Sequence, residues 1–486
     1  MSEEIKNLEP KSLWKNFYEL TQIPRPSKKE ERIIAYMKAF GENLGLETVV
    51  DSVGNVIIRK PATPGMENKK GIILQAHIDM VPQKNSDVDH DFENDPIDAY
   101  IDGEWVTARG TTLGADNGMG VAAAMAVLES KTIKHGPLEA LFTIDEETGM
   151  TGAFGLKPGF LNGDILINLD SEDEGELYVG CAGGTNANMS YNFKMEAVPS
   201  GYKAYTLNVA GLKGGHSGVD IKLERGNANI LLTRFLYMAA KQNNARLVEM
   251  EAGDMRNAIP REGHATVVVP ADKSSDFEAF VKSYEADIKN EYSSVEPGLT
   301  FTATSTETPA QVITADDQMK MVNVILSTPN GVIRMSQDME GLVETSTNLA
   351  IIVIRDGKAT MQALLRSSVD TAKKALENVF EALYTLAGLD INFDGEYPGW
   401  KPNMASPILA TMQKQYETLY NKIPKITAIH AGLECGLLGG VYPNWDMISI
   451  GPTIRFPHSP DEKVEIASVD KFWKFLLHTL ENAPEK

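Results

Sequence analysis

At 486 residues the chain exceeds the length at which a single hydrophobic core keeps growing, so two or more domains are expected. Its 67 acidic residues outnumber 46 basic ones, and the net charge of −21 repels phosphate backbones and anionic bilayers, which excludes nucleic acid and membrane surfaces as partners. No run of about 18 apolar residues occurs, the first six residues lack the basic and apolar blocks of a secretory signal, and Cys181 and Cys435 are too few for a disulfide framework or a thiolate metal site. A cytoplasmic protein is expected.

In chain order, Lys28 to Leu44 reads as a helix, and Gly71 to Ala76 as a buried strand that delivers His77 and Asp79. Residues two apart on a strand share a face, so the imidazole and carboxylate can lie side by side, with Asp79 orienting His77. Leu141 to Ile144 is a second apolar run, ended by Asp145-Glu146-Glu147-Thr148-Gly149. Neighbouring side chains diverge there, so one glutamate can bind metal while the other faces a reaction. Ile165 to Leu169 is a third run and delivers Asp170. Three strand ends carrying acids or imidazole point to one edge of an open α/β sheet.

From about Lys203 the character changes to strand (204–210), helix (223–242), strands (246–251, 263–269), helix (275–292) and strand (299–304). A similar set follows: strands 331–336, 348–355 and 359–367, helix 371–386 and strand 390–394. The middle can thus hold two α+β units. His458, in His458-Ser459-Pro460-Asp461-Glu462, must return to ligands between 77 and 170, so the last segment rejoins the first. The expected domains are 1–186 and 398–486 as one catalytic domain, with 187–397 inserted.

The donor set favours two metals over one. Asp116, Glu147, Asp170 and a hydroxide balance the charge of two divalent cations; each cation then has one histidine, one terminal carboxylate and a shared Asp116. Glu146 is left over as general base and acid. Gly118-Met119-Gly120-Val121-Ala122-Ala123 fits a relaxed dinucleotide pattern, but no buried strand precedes it and Asp116 would repel a pyrophosphate, so nucleotide binding is not expected.

These segments resemble the di-zinc exopeptidase family of carnosinases, aminoacylases, bacterial dipeptidases and carboxypeptidases, nearly end to end. His77-Ile78-Asp79-Met80-Val81-Pro82, Thr111 to Gly118, Gly214-Gly215-His216-Ser217-Gly218, Arg256-Asn257-Ala258-Ile259-Pro260 and His430 to Gly436 are similar to its bacterial aminoacyl-histidine dipeptidase branch. Asn117 follows Asp116 where many relatives of the wider family carry a second acid, which favours that branch.

The resemblance implies an α/β zinc-peptidase catalytic domain, with a central mixed sheet flanked by helices, and an inserted α+β lid domain. It implies metal ligation by His77, Asp116, Glu147, Asp170 and His458, catalytic roles for Asp79 and Glu146, and a peptide bond before Asn117 that is often cis. It further implies that Arg366 grips the terminal carboxylate of a peptide and that Asn257 and Gly432 contact substrate. His216, on a Gly-rich loop, is suited to donate to the oxyanion formed at the peptide carbonyl. The expected activity is hydrolysis of dipeptides, β-alanyl-histidine among them, with two Zn(2+) per subunit and Co(2+) or Mn(2+) as substitutes. A homodimer through the lid is expected. The neighbouring readings are an N-acyl amino acid deacylase, a carboxypeptidase or a tripeptidase on the same metals, and from another class a binding protein on the same fold.

Overall fold

Runs such as Ile72–His77, Leu138–Thr143 and Ile165–Asn168 are buried at every position, the pattern of strands covered on both faces. The structure, a computed structural model, describes residues 3–486. It divides into two compact units. One comprises the chain up to Gly180 together with Trp400–Ala428 and Leu433–Lys486, and the other Cys181–Gly399 with Ile429–Gly432.

The first unit holds an eight-stranded mixed sheet in the order Glu47–Val50, Val56–Lys60, Leu138–Thr143, Ile72–His77, Ile165–Asn168, Asp446–Ser449, Glu176–Cys181, Lys425–Ile429. The four strands from Leu138–Thr143 to Asp446–Ser449 run parallel. Helix Ala115–Glu129 is buried from Asn117 to Leu128 and packs against Ile72–His77. An all-round apolar helix of this kind belongs in a core. The carboxyl ends of three adjacent parallel strands therefore release His77, the 145–147 turn and Asp170 at one edge of the sheet, where open α/β folds bind ligands.

A separate four-stranded sheet brings in His458. Lys463–Glu465 pairs with Trp105–Ala108 and with Ile454–Arg455, so the loop between 455 and 463 is anchored beside the chain that leads into Asp116. Gly114 turns that chain into the helix at φ 71°, and a Cβ there would meet the Arg25 guanidinium at 2.7 Å. Only glycine meets both demands.

In the second unit nine strands form one antiparallel sheet. Both sets of strands that the sequence left as two α+β units share it, joined where Met250–Ala252 pairs with Ile352–Ile354. Helices Ala228–Asn243, Ser274–Glu291, Ala315–Ser327 and Asp370–Ala387 bury their apolar residues with one face of it, around Phe235, Phe277, Phe301 and Phe380. The strand Gly183–Asn192 lies inside this sheet, between Lys358–Ser367 and Asp390–Tyr397. The helix Ala315–Ser327 and this strand were not expected. Gly183–Asn192 is rich in glycine and asparagine, and its pairing is supplied by its neighbours rather than by its own propensity.

Candidate metal centre

The seven expected groups of the first unit converge. Asp116 lies between the two imidazoles: its Oδ1 is 3.0 Å from His77 Nε2 and its Oδ2 is 3.2 Å from His458 Nε2. His77 Nε2 is also 3.4 Å from Asp170 Oδ1, and His458 Nε2 is 2.9 Å from Glu147 Oε2. Two donor triads result, His77–Asp116–Asp170 and His458–Asp116–Glu147, each with its donor atoms within 4.8 Å of one another. Glu146 joins His77 and Glu147 in a third such group. The Asp116–Asn117 peptide bond is cis, and the Asn117 amide donates to Leu169 O at 2.8 Å and to Asp170 Oδ1.

Asp79 is fully buried and ties the imidazole to the acidic turn. Its Oδ1 lies 3.2 Å from His77 Nδ1, and it accepts from the Ser27 hydroxyl (2.7 Å) and the backbone N–H groups of Glu146 (3.0 Å) and Glu147 (3.3 Å). Burial works against its ionisation, but the bond to His77, the positive imidazole and these donors hold it below the usual carboxylate range.

The donor set fits divalent cations. Burial drives Glu147 upward despite its bond to His458, and drives Asp170 up to about 6 with Asp116 and Glu147 adding repulsion. Burial lowers His77, yet the charge of Asp170 and the bonds to its three carboxylate neighbours raise it well above an ordinary imidazole. Hydrogen bonds to Asp116 and Glu147 push His458 up to about 11. So many acids in so little water must gain positive charge, from protons or from metal. Glu147 Oε1 is buried with no hydrogen-bond partner among the described residues, as a ligand oxygen would be.

Three supports were not legible as such. Glu462 is buried and accepts from the N–H groups of Leu113 (2.7 Å), Gly114 (2.9 Å) and Asp116 (3.1 Å), so it shapes the turn that presents Asp116. Burial and the Asp116 charge push its carboxyl up to about 7 against the opposing backbone bonds. Arg25 is buried and donates to the carbonyls of Ile78 (3.0 Å), Asp79 (2.8 Å) and Gly114 (2.5 Å). Glu434 accepts from Gln75 (2.6 Å) and Thr143 (2.8 Å), joining the strands that lead to His77 and Glu146. Glu462 and Glu434 lie within the segments His458 to Glu462 and His430 to Gly436, but nothing in a sequence says which donors a carboxylate will meet. Glu462→Ala leaves three buried N–H groups without an acceptor. It is expected to cost about 3 kcal/mol of stability, read by denaturant unfolding, and to weaken metal retention.

The remaining expected groups lie in the second unit. His216 Nδ1 accepts from the N–H groups of Gly218 (3.2 Å) and Val219 (3.1 Å), which leaves the proton of the neutral ring on Nε2 as a donor. Burial, then the charge of Arg366, lowers His216 to about 4, so the ring is neutral at physiological pH. Asn257 is exposed, its carbonyl accepts from Ser217 N–H (2.8 Å), and it lines a cleft of about 810 Å³ with His216. Arg366 is buried and donates from Nη1 to the Tyr397 hydroxyl at 3.0 Å. Gly432 ends the short segment 429–432, whose Ile429 and Ala431 carbonyls accept from Ala182 N–H.

A family model for peptidase family M20/M25/M40 matches residues 73–482. The chain belongs to that family. This M20 peptidase is 47% identical over 483 residues to the cytosol non-specific dipeptidase of Escherichia coli strain K12, covering 99% of this chain and 100% of the relative. It is also similar to the crystal structure of aminoacylhistidine dipeptidase from Vibrio alginolyticus, at 51% identity and a TM-score of 0.94 over 99% of each chain. A tripeptidase from Staphylococcus aureus shares the fold at 15% identity and a TM-score of 0.59 over 98% of each chain. The α/β fold class and the hydrolase class expected from sequence are thereby borne out. Membership of this metallopeptidase family implies the use of a divalent metal.

Proposed function

We propose that this M20 peptidase is a cytosolic two-zinc dipeptidase that cleaves dipeptides with free termini, including those ending in histidine. The observation that carries the reading is the sharing of Asp116, one oxygen toward His77 and the other toward His458, which makes two adjoining metal sites out of five side chains. His77 with Asp170 would hold one ion, and His458 with Glu147 the other. Mixed imidazole and carboxylate donors suit zinc. The name of the E. coli relative supports the cytosolic location and broad dipeptide substrates, and that of the Vibrio relative supports cleavage of dipeptides ending in histidine.

Bound metal would supply Lewis acidity to the scissile carbonyl and lower the pKa of the attacking water. Glu146 then takes the water's proton on a carboxylate oxygen and passes it to the departing amine. Asp79 keeps His77 Nδ1 engaged, so that Nε2 faces the metal site with its lone pair. His216, neutral and carrying its proton on Nε2, is the donor assigned to the developing oxyanion. Arg366 is assigned to the terminal carboxylate, with Asn257 and Gly432 as further substrate contacts.

The test is release of histidine from β-alanyl-histidine and of amino acids from α-dipeptides, after chelation and then resupply of zinc, cobalt or manganese. The expected result is loss of turnover on chelation, restoration by metal, and about 10,000-fold preference for free over N-acylated dipeptides, the discrimination of a site whose buried polar groups are left unpaired by the wrong substrate. Preference for N-acylated substrates would replace this reading with a deacylase, and two bound metals without turnover would replace it with a binding protein.

A further inference from the structure

Four strands of the second unit place Ser346, Arg366, Gly184 and Tyr397 in one row. Ser346 pairs with Arg366, Arg366 with Gly184, and Gly184 with Tyr397. Directly paired residues project to the same face of a sheet, so Arg366 and Tyr397 flank a position that has no side chain. Two strand spacings, roughly 9.5 Å, separate their backbones, yet the Tyr397 hydroxyl is 3.0 Å from Arg366 Nη1. Gly184 makes this possible: a Cβ there would stand 2.7 Å from the Tyr397 ring and hydroxyl.

The hydroxyl accepts from the guanidinium, and its own proton remains available to an anion. Arg366 is 4% exposed and its Nε has no hydrogen-bond partner among the described residues, an unmade bond that a buried cation does not ordinarily leave. On the other side of the row Ser346 Oγ is 2.7 Å from His430 Nε2. Burial and the Arg366 charge lower His430 to about 3, so Arg366 is the cation of this group. A buried guanidinium with a free donor, held by a phenol and bordered by a serine, matches a carboxylate.

We propose that Tyr397 is the positioning residue for Arg366, through the gap left by Gly184, and that this row sets the preference for substrates with a free terminal carboxylate. The inference rests on the assignment of Arg366 to that carboxylate. Without the hydroxyl the guanidinium keeps its charge but loses the bond that aims it, so binding of the carboxylate suffers while the chemistry at the peptide bond does not.

The experiment compares kcat and KM for a dipeptide and its C-terminal amide in metal-loaded wild-type, Tyr397→Phe, Arg366→Ala and the double variant. Tyr397→Phe is expected to raise KM for the free dipeptide about tenfold, the size of one hydrogen bond to a charged group. Its kcat should stay within about twofold, and the preference for carboxylate over amide should fall about tenfold. In the Arg366→Ala background the same change should add nothing. Gly184→Ala should repeat the Tyr397→Phe profile, with its unfolding midpoint recorded to separate misfolding from misplacement. An unchanged preference in Tyr397→Phe, beside its collapse in Arg366→Ala, overturns the positioning role alone. An unchanged preference in Arg366→Ala overturns the carboxylate assignment beneath it.

Discussion

Glu146→Gln is expected to lower kcat about 1,000-fold, within the range for removal of a general base, while metal content and KM stay near wild type. The residue begins the short helix Glu146–Gly149, next to a donor of one triad but outside both. Its backbone N–H is fixed on Asp79, which places its carboxyl beside the imidazole that Asp79 also holds. Burial raises its carboxyl well above the usual range; His77 opposes this, while Asp170, Glu434 and Glu147 add to it. A carboxylate so placed has the driving force to take a proton and give it back. Glutamine keeps the volume and polarity but accepts no proton at physiological pH. The measurement is steady-state turnover beside metal analysis of the same sample, and a variant that kept full turnover with metal bound would remove Glu146 from the role of base.

Asp116→Ala is expected to be more severe in a different way. Both triads contain this one carboxylate, so its loss weakens both sites together and leaves His77 and His458 facing each other without the anion between them. Bound metal should fall below one ion per chain after dialysis. Turnover should fall about 10,000-fold, which corresponds to the several kcal/mol of charge stabilisation that metal contributes. The contrast with Glu146→Gln is diagnostic: one variant is metal-loaded and slow, the other metal-depleted. If Asp116→Ala retained two tightly bound ions, the shared-ligand reading would be wrong.

The donors that follow strands were legible because their cause is local. Ile72–His77, Leu138–Thr143 and Ile165–Asn168 are mostly apolar and buried at every position, and a short run of that kind, bounded by turn residues, has few places to go except a two-face-buried strand. Once those strands are parallel neighbours, His77, Glu146, Glu147 and Asp170 must emerge together. Elements in the middle of the chain were read within a few residues for the same reason, as in Gly263–Pro270 and Asp370–Ala387. His216, Asn257, Arg366 and Gly432 entered through resemblance, because single polar residues on loops and strand edges carry no periodic signal.

The buried strands, and the acids and imidazole at their ends, follow from local sequence pattern alone. Which groups complete the site depends on contacts made across the fold. His458 reaches Asp116 through pairing of Lys463–Glu465 with Trp105–Thr107, and Glu462 finds its three donors across more than 300 residues. The polar segment Gly183–Asn192 becomes an interior strand because Lys358–Ser367 and Asp390–Tyr397 pair with it on either side. Tyr397 meets Arg366 only where Gly184 leaves room. One cause underlies each case. Burial of an apolar run is favourable wherever it occurs along the chain, whereas a polar group's energy depends on partners that folding alone brings near.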